Sequence, residues 1–291
     1  MNESFTGYRL SKGYSPKSIK SQDSYLRHFM RWQRSTQPKG AENLQLLFFL
    51  DYLGKEKCSR VHQKNILQAV RIYYDYLIEE GEKESNPAIS VRLRNTSSKT
   101  KEPPLPAGML DEIYSWFTGL SLKTERQKQL HKRDGVMLGL LVYQGLDSGD
   151  MERLKVKDIQ LEKGEIYIPS SRSNASRTLK LEAKQILLIK EYMDNIRPVI
   201  NPTQEASEQL FTHRKIQDTV SVLASRIKAQ YPEVKGSRHI RSSVLMNWLS
   251  MYHIRQVQYM AGHRCISSTE RYQKENLHDL SEQLQKYHPM K

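Results

Sequence analysis

The sequence predicts a mainly helical (α+β) protein in two parts: an all-helical bundle, then a helical domain carrying one small three-stranded antiparallel sheet. Three observations lead there. Apolar residues recur at helical spacing through most of the chain. The period shortens to strand-like segments between Asp158 and Leu181. The run Asn95 to Pro106, NTSSKTKEPPLP, is polar, basic and proline-bearing, and marks a linker between residues 1–94 and 107–291.

Residues 1–14 are polar and are expected to be loosely ordered. Ser15-Pro16 is a helix start, an N-cap followed by proline at the first position, and Ile19, Leu26, Phe29 and Met30 mark one face behind it. A second helix is expected from Leu44 to Leu53 and a third from Ser59 to Glu80, closed by Gly81. In the third, Ile66, Leu67, Val70, Tyr73, Tyr74 and Leu77 point inward. With no strand pattern between them, these helices form a bundle. Beyond the linker, helices are expected at Gly108–Leu120 and Arg126–Tyr143, then strands at Asp158–Leu161, Glu165–Pro169 and Thr178–Leu181. Helices resume at Glu182–Asn195 and Gln217–Gln230, and an amphipathic one is expected at Glu275–Gln285.

Lysine and arginine number 46 against 32 acidic residues among 291, a net charge of +14. That excess calls for a polyanionic partner, with binding steeply dependent on salt. The two cysteines, Cys58 and Cys265, lack metal-type spacing and fit a reducing compartment. Without an apolar run long enough for a membrane span or a signal peptide, the expectation is a soluble, intracellular protein with no membrane partner.

The chemistry concentrates between Gly236 and Tyr272. Ser237 is read as an N-cap, with Val244, Leu245, Trp248 and Leu249 as the buried stripe of the helix that follows. Arg238 and Arg241 then lie three apart on one face of its first turns. Amide dipoles already make that end positive, so two cations there fit a bound anion such as phosphate. A second helix, His253 to Ala261, stops at Gly262, a residue suited to a left-handed cap; His263 follows at once and Tyr272 nine residues later.

The run AGHRCISSTERYQ, with Arg241 ahead of an amphipathic helix, resembles the signature of the tyrosine recombinases, the phage integrases. The resemblance implies a helical core-binding domain joined to a helical catalytic domain, closing around double-stranded DNA and assembling as a tetramer in the bacterial cytosol and nucleoid, with no small-molecule substrate. The tail helix, through Leu277, Leu280 and Leu284, would dock on a neighbouring protomer. It also implies that Tyr272 forms a 3′-phosphotyrosyl link, that Arg241 grips the scissile phosphate, and that His263 hydrogen-bonds the phosphate or takes the tyrosine proton. Neither metal nor other cofactor is needed, since arginine forks supply the charge and the phosphotyrosine conserves the bond energy. Lys17, Lys20, Lys64 and Arg71 are candidates for DNA-backbone contacts in the bundle, and Arg177 and His239 in the second domain.

Three positions depart from the family pattern. In YQGLDSGDMERL an acidic Asp147 stands where an arginine is usual, so another cation such as Arg153 or Arg177 must substitute, or catalysis is weakened. The general-acid lysine of the strand-two to strand-three turn aligns with Arg172, which stabilises charge but is a poor proton donor; Lys180 is the reserve. Arg238 stands where a histidine is common, with His239 one residue out of register. Two readings follow: a site-specific recombinase or integrase of a mobile element, or a catalytically impaired DNA-binding member acting as a regulator or architectural protein.

Overall fold

Local chemistry sets the helix boundaries in the computed structural model, which describes residues 3–93, 102–200, 208–211 and 216–273. The chain divides into two units, Met1–Lys99 and Thr100–Lys291. In the first, Pro16–Thr36 (α2) begins as expected, with the Ser15 hydroxyl accepting from the Ser18 N–H. Glu42–Lys55 (α3) runs through Gly54, and Arg60–Glu79 (α4) starts at the Ser59 cap. Leu26, Phe29, Trp32, Phe49, Leu53, Ile66 and Val70 interlock as its core.

The amino-terminal expectation needs correction. Residues Glu3–Ser11 form a helix (α1) rather than a loose arm. Phe5 is buried, and the fully buried Arg9 lies over its ring while pairing with Asp23 at 2.8 Å. A long polar side chain thus behaves as core, which hydropathy patterning does not reveal.

The second unit is built around Glu125–Val142 (α6), opened by a Thr124–Gln127 capping box. Its Val136–Val142 stretch is buried throughout. Ala107–Thr118 (α5) packs on it, and Ser148–Arg153 (α7) follows the turn at Gly145. The sheet comprises Ile159–Gln160 (β1), Glu165–Ile168 (β2) and Arg177–Lys180 (β3), antiparallel in the order β1-β2-β3, with Ile168 opposite Arg177. Ala183–Glu191 (α8) continues through a wide turn at Tyr192–Ile196 into Arg197–Ile200 (α9). Ile216–Gln230 (α10), Ser237–Met251 (α11) and Ile254–Ala261 (α12) follow, and residues 267–273 form a last described helix (α13). The expected helix at Glu275–Gln285 lies outside the described residues.

The last residues of the expected linker are fastened to the second unit. Leu105 is buried; its N–H donates to Ser243 Oγ at 2.8 Å and its carbonyl accepts from Asn247 at 3.0 Å. His239 Nε2 lies 2.8 Å from the Pro103 carbonyl. Among the described residues no helix is long and apolar enough to cross a membrane.

Candidate active site

Four segments of the second unit converge: the turn into α7, β3 with its preceding turn, the first turns of α11, and the Gly262–Tyr272 stretch. Gly236, not Ser237, occupies the cap position of α11, and no side chain caps it. One turn in, Arg241 points inward, its side chain 13 % exposed. Its Nη1 donates to the Gly145 carbonyl and approaches Asp150 Oδ2 at 3.4 Å, while Nη2 donates to the Ala261 carbonyl at 3.2 Å. Two backbone oxygens and a carboxylate thus fix the guanidinium in the fork geometry suited to phosphate. Arg238, three residues earlier on the same helix, is exposed.

Asp147 caps α7, its Oδ1 accepting from the Asp150 N–H at 2.8 Å, while its Oδ2 lies 3.9 Å from Arg241 Nη1. Asp150 is the residue that sequence reasoning missed. Its carboxylate, 0 % exposed, takes Arg177 Nη2 on Oδ2 at 2.8 Å, and Arg153 Nη2 on Oδ1 at 2.6 Å. Asn174 Nδ2 lies 3.3 Å from Oδ1. Burial pushes the Asp150 carboxyl up, but the adjoining Arg177 and Arg241 outweigh it and hold it below the usual carboxylate range. The spacing of Asp147, Asp150 and Arg153 at successive three-residue steps was the available signal, since such residues share a helix face.

His263 follows Gly262, whose φ of 74° is the expected left-handed cap of α12. Its Nδ1 lies 2.9 Å from the Oγ1 of the fully buried Thr269. The ring stacks on Tyr272 with centroids 6.1 Å apart and planes 8° from parallel. Burial, then the charges of Arg241, Arg177 and Arg271, pull the His263 pKa down to about 4, so the imidazole is neutral at pH 7. The turn between β2 and β3 docks against this stretch: Ala175 N–H donates to the Gly262 carbonyl at 2.8 Å and Arg264 Nη2 to the Ser171 carbonyl at 2.7 Å. Arg172 lies exposed on that turn. Lys180 is exposed and alternates with the buried Arg177 and Leu179 along β3.

Three of the expected DNA contacts are committed elsewhere. Arg177 is fully buried against Asp150, because β3 alternation turns it into the core. His239 is buried, its Nδ1 accepting from the Lys235 N–H at 3.3 Å while Nε2 anchors Pro103. Arg71 donates to the carbonyls of Ala88 and Val91 at 3.0 and 2.6 Å, closing the end of the first unit's chain onto α4. Each is a long or ambivalent side chain that charge counting placed on the surface and tertiary structure drew inward. Lys17, Lys20 and Lys64 are exposed on α2 and α4.

Comparison with known proteins agrees with the arrangement. Residues 121–278 match the model of the Phage integrase family. The chain is 22 % identical to the tyrosine recombinase XerD of Listeria innocua, covering 96 % of this chain and 95 % of the relative. It is 21 % identical to the TnP I resolvase of Bacillus thuringiensis, with 94 % of each covered. Among solved structures, the Tn1549 transposon integrase in complex with circular intermediate DNA aligns with a TM-score of 0.66 at 12 % identity, covering 93 % of each chain. The XerH site-specific recombinase bound to its difH substrate aligns with a TM-score of 0.66 at 21 % identity, over 85 % of this chain and 73 % of that one. The chain therefore belongs to the phage integrase family, the tyrosine recombinases that cut and rejoin DNA at specific sites.

Proposed function

We propose that Tyr272 is the nucleophile of a site-specific recombinase or integrase encoded by a mobile element. Its oxygen attacks the scissile phosphorus, the bond to the 5′-oxygen breaks, and the protein is left joined to the 3′ end. The tyrosine proton must leave and the departing oxygen must gain one. The observation that carries this reading is the neutral His263, held on Thr269, stacked on Tyr272 and close to the charge of Arg241. A neutral imidazole can hydrogen-bond the scissile phosphate or the tyrosine oxygen while the tyrosine proton passes to solvent, and Arg241 faces the charge that builds on the phosphate oxygens. Arg238 adds charge at the mouth, and Arg172 stabilises the departing oxygen from the docked turn while solvent supplies its proton. Lys17, Lys20 and Lys64 hold the DNA backbone from the first unit, around a duplex shared by several copies of the chain in the bacterial nucleoid. The reverse attack by a 5′-hydroxyl rejoins strands without cofactor, which makes integration and excision the same chemistry.

Covalent capture tests this. Nicked duplexes from the ends of the protein's own element lose a short fragment on cleavage and trap the adduct. A DNA-linked band that Tyr272→Phe abolishes is expected. Tight, salt-sensitive binding without any band would favour the silent DNA-binding reading that Asp147 motivates.

A further inference from the structure

Asp147 leaves the phosphate pocket one cation short of the family pattern, and the geometry points to Arg177 as the residue that supplies it, from β3 instead of the turn before α7. This rests on the reading of Tyr272 as nucleophile. Arg177 is 0 % exposed, yet only Nη2 is spent on Asp150; Nε and Nη1 are buried without a hydrogen-bond partner. A guanidinium so placed is poorly satisfied by the protein alone, a cost a fold retains where function needs the charge.

Its position agrees. A Cβ on Gly262 would lie 2.4 Å from Arg177 Nη1 and 2.9 Å from Cζ, so the guanidinium presses on the backbone directly before His263. It shares the Asp150 Oδ2 oxygen with Arg241. Arg241 alone would face two carboxylates, Asp147 and Asp150, and the pocket would have little net attraction for a phosphate. Arg177 answers Asp150 and leaves the charge of Arg241 available. Arg153, the other candidate, also leaves its Nε unpaired, but it sits on the far oxygen of Asp150 and is 32 % exposed. Screening by water weakens a charge there, whereas a desolvated, rigid cation acts at full strength. Arg177 is thus a positioning residue: it fixes Arg241 through Asp150 and supplies a permanent field without touching the DNA.

Cleavage rates on paired nicked substrates, one ordinary and one with a neutral methylphosphonate at the scissile position, separate charge from scaffolding. Arg177→Met should lose about 100-fold on the phosphate, the scale of removing one preorganised donor, and recover at least about tenfold of that loss on the methylphosphonate, which has less charge to neutralise. Arg177→Lys keeps the charge and the Asp150 partner, and covers the case in which the methionine variant does not fold. It should lose about tenfold on the phosphate and almost nothing on the methylphosphonate. Equal losses on both substrates would overturn the assignment, as would a methylphosphonate-relieved loss in Arg153→Gln with none in Arg177→Lys. Wild-type protein giving no Tyr272-dependent adduct would remove the nucleophile reading and this inference together. A Tyr272-dependent adduct with equal losses removes the inference alone.

Discussion

Removing the Asp150 carboxylate should be among the most damaging single changes in the second unit, and the size of the loss can be worked from its partners. Asp150 and Arg177 are each 0 % exposed and meet at 2.8 Å. Asp150→Ala leaves the Arg177 cation buried without its paired carboxylate, which costs about 3–5 kcal/mol. Arg177→Met is milder, about 1–3 kcal/mol, because Asp150 keeps Arg153, Arg241 and Asn174 as partners. The double variant removes both buried charges, so its loss should fall short of the sum by about 2 kcal/mol. Hydrogen exchange in urea, read in peptides spanning α7 and β3 of the full chain, measures this unit without counting the unfolding of the other. Losses that add to within about 0.5 kcal/mol would refute the coupling. The pH dependence gives a second check. The Asp150 carboxyl is held below its ordinary value, so its contribution is complete above about pH 4 and disappears as pH falls through the folded pKa. The difference between wild type and Asp150→Ala should be flat from pH 8 to 5 and shrink below about pH 4.

Two further outcomes follow from the same contacts. Lys17→Gln and Lys20→Gln should each lower the slope of log affinity against log salt by about 0.9, whereas Arg71→Met should leave the slope unchanged and destabilise the first unit by about 2–3 kcal/mol through its lost carbonyl contacts. A slope change in Arg71→Met equal to that of the lysines would place Arg71 on the DNA. His263 binds its proton near pH 6.5 when unfolded but only at about 4 when folded, so acidification favours the unfolded chain across that window. Wild type should lose stability between those values more steeply than His263→Asn, and parallel curves in chemical denaturation would contradict the burial of a neutral imidazole.

The helices and the sheet were legible because their signals are local. Ser15-Pro16, the alternation through Glu165–Ile168 and the Gly262 stop each depend on neighbours a few residues away. The order of Arg241, His263 and Tyr272 was legible for a different reason: the resemblance reads motif spacing, which survives at low overall identity. Where local signals competed with burial, the reading failed. Arg9 made an apparently polar tail into a helix, and Gly236 displaced Ser237 as the cap of α11.

By itself, then, the sequence determined the helical fold class, the need for a polyanionic partner and the chemical type of the site. Composition and periodicity sum over many residues, and a tyrosine, a histidine and an arginine have few joint uses. Only the tertiary structure decided which cations are drawn inward and which stay on the surface. Arg71, Arg177 and His239 were expected on DNA, but contacts 17 to 136 positions away in sequence draw them inward. Asp150 is the clearest case, an ordinary acid in a short helix until α7, β3 and α11 bring Arg153, Arg177 and Arg241 to one carboxylate. Long-range packing sets the desolvation of each charge, and desolvation decides whether it acts as a surface contact, a structural pair or a fixed field.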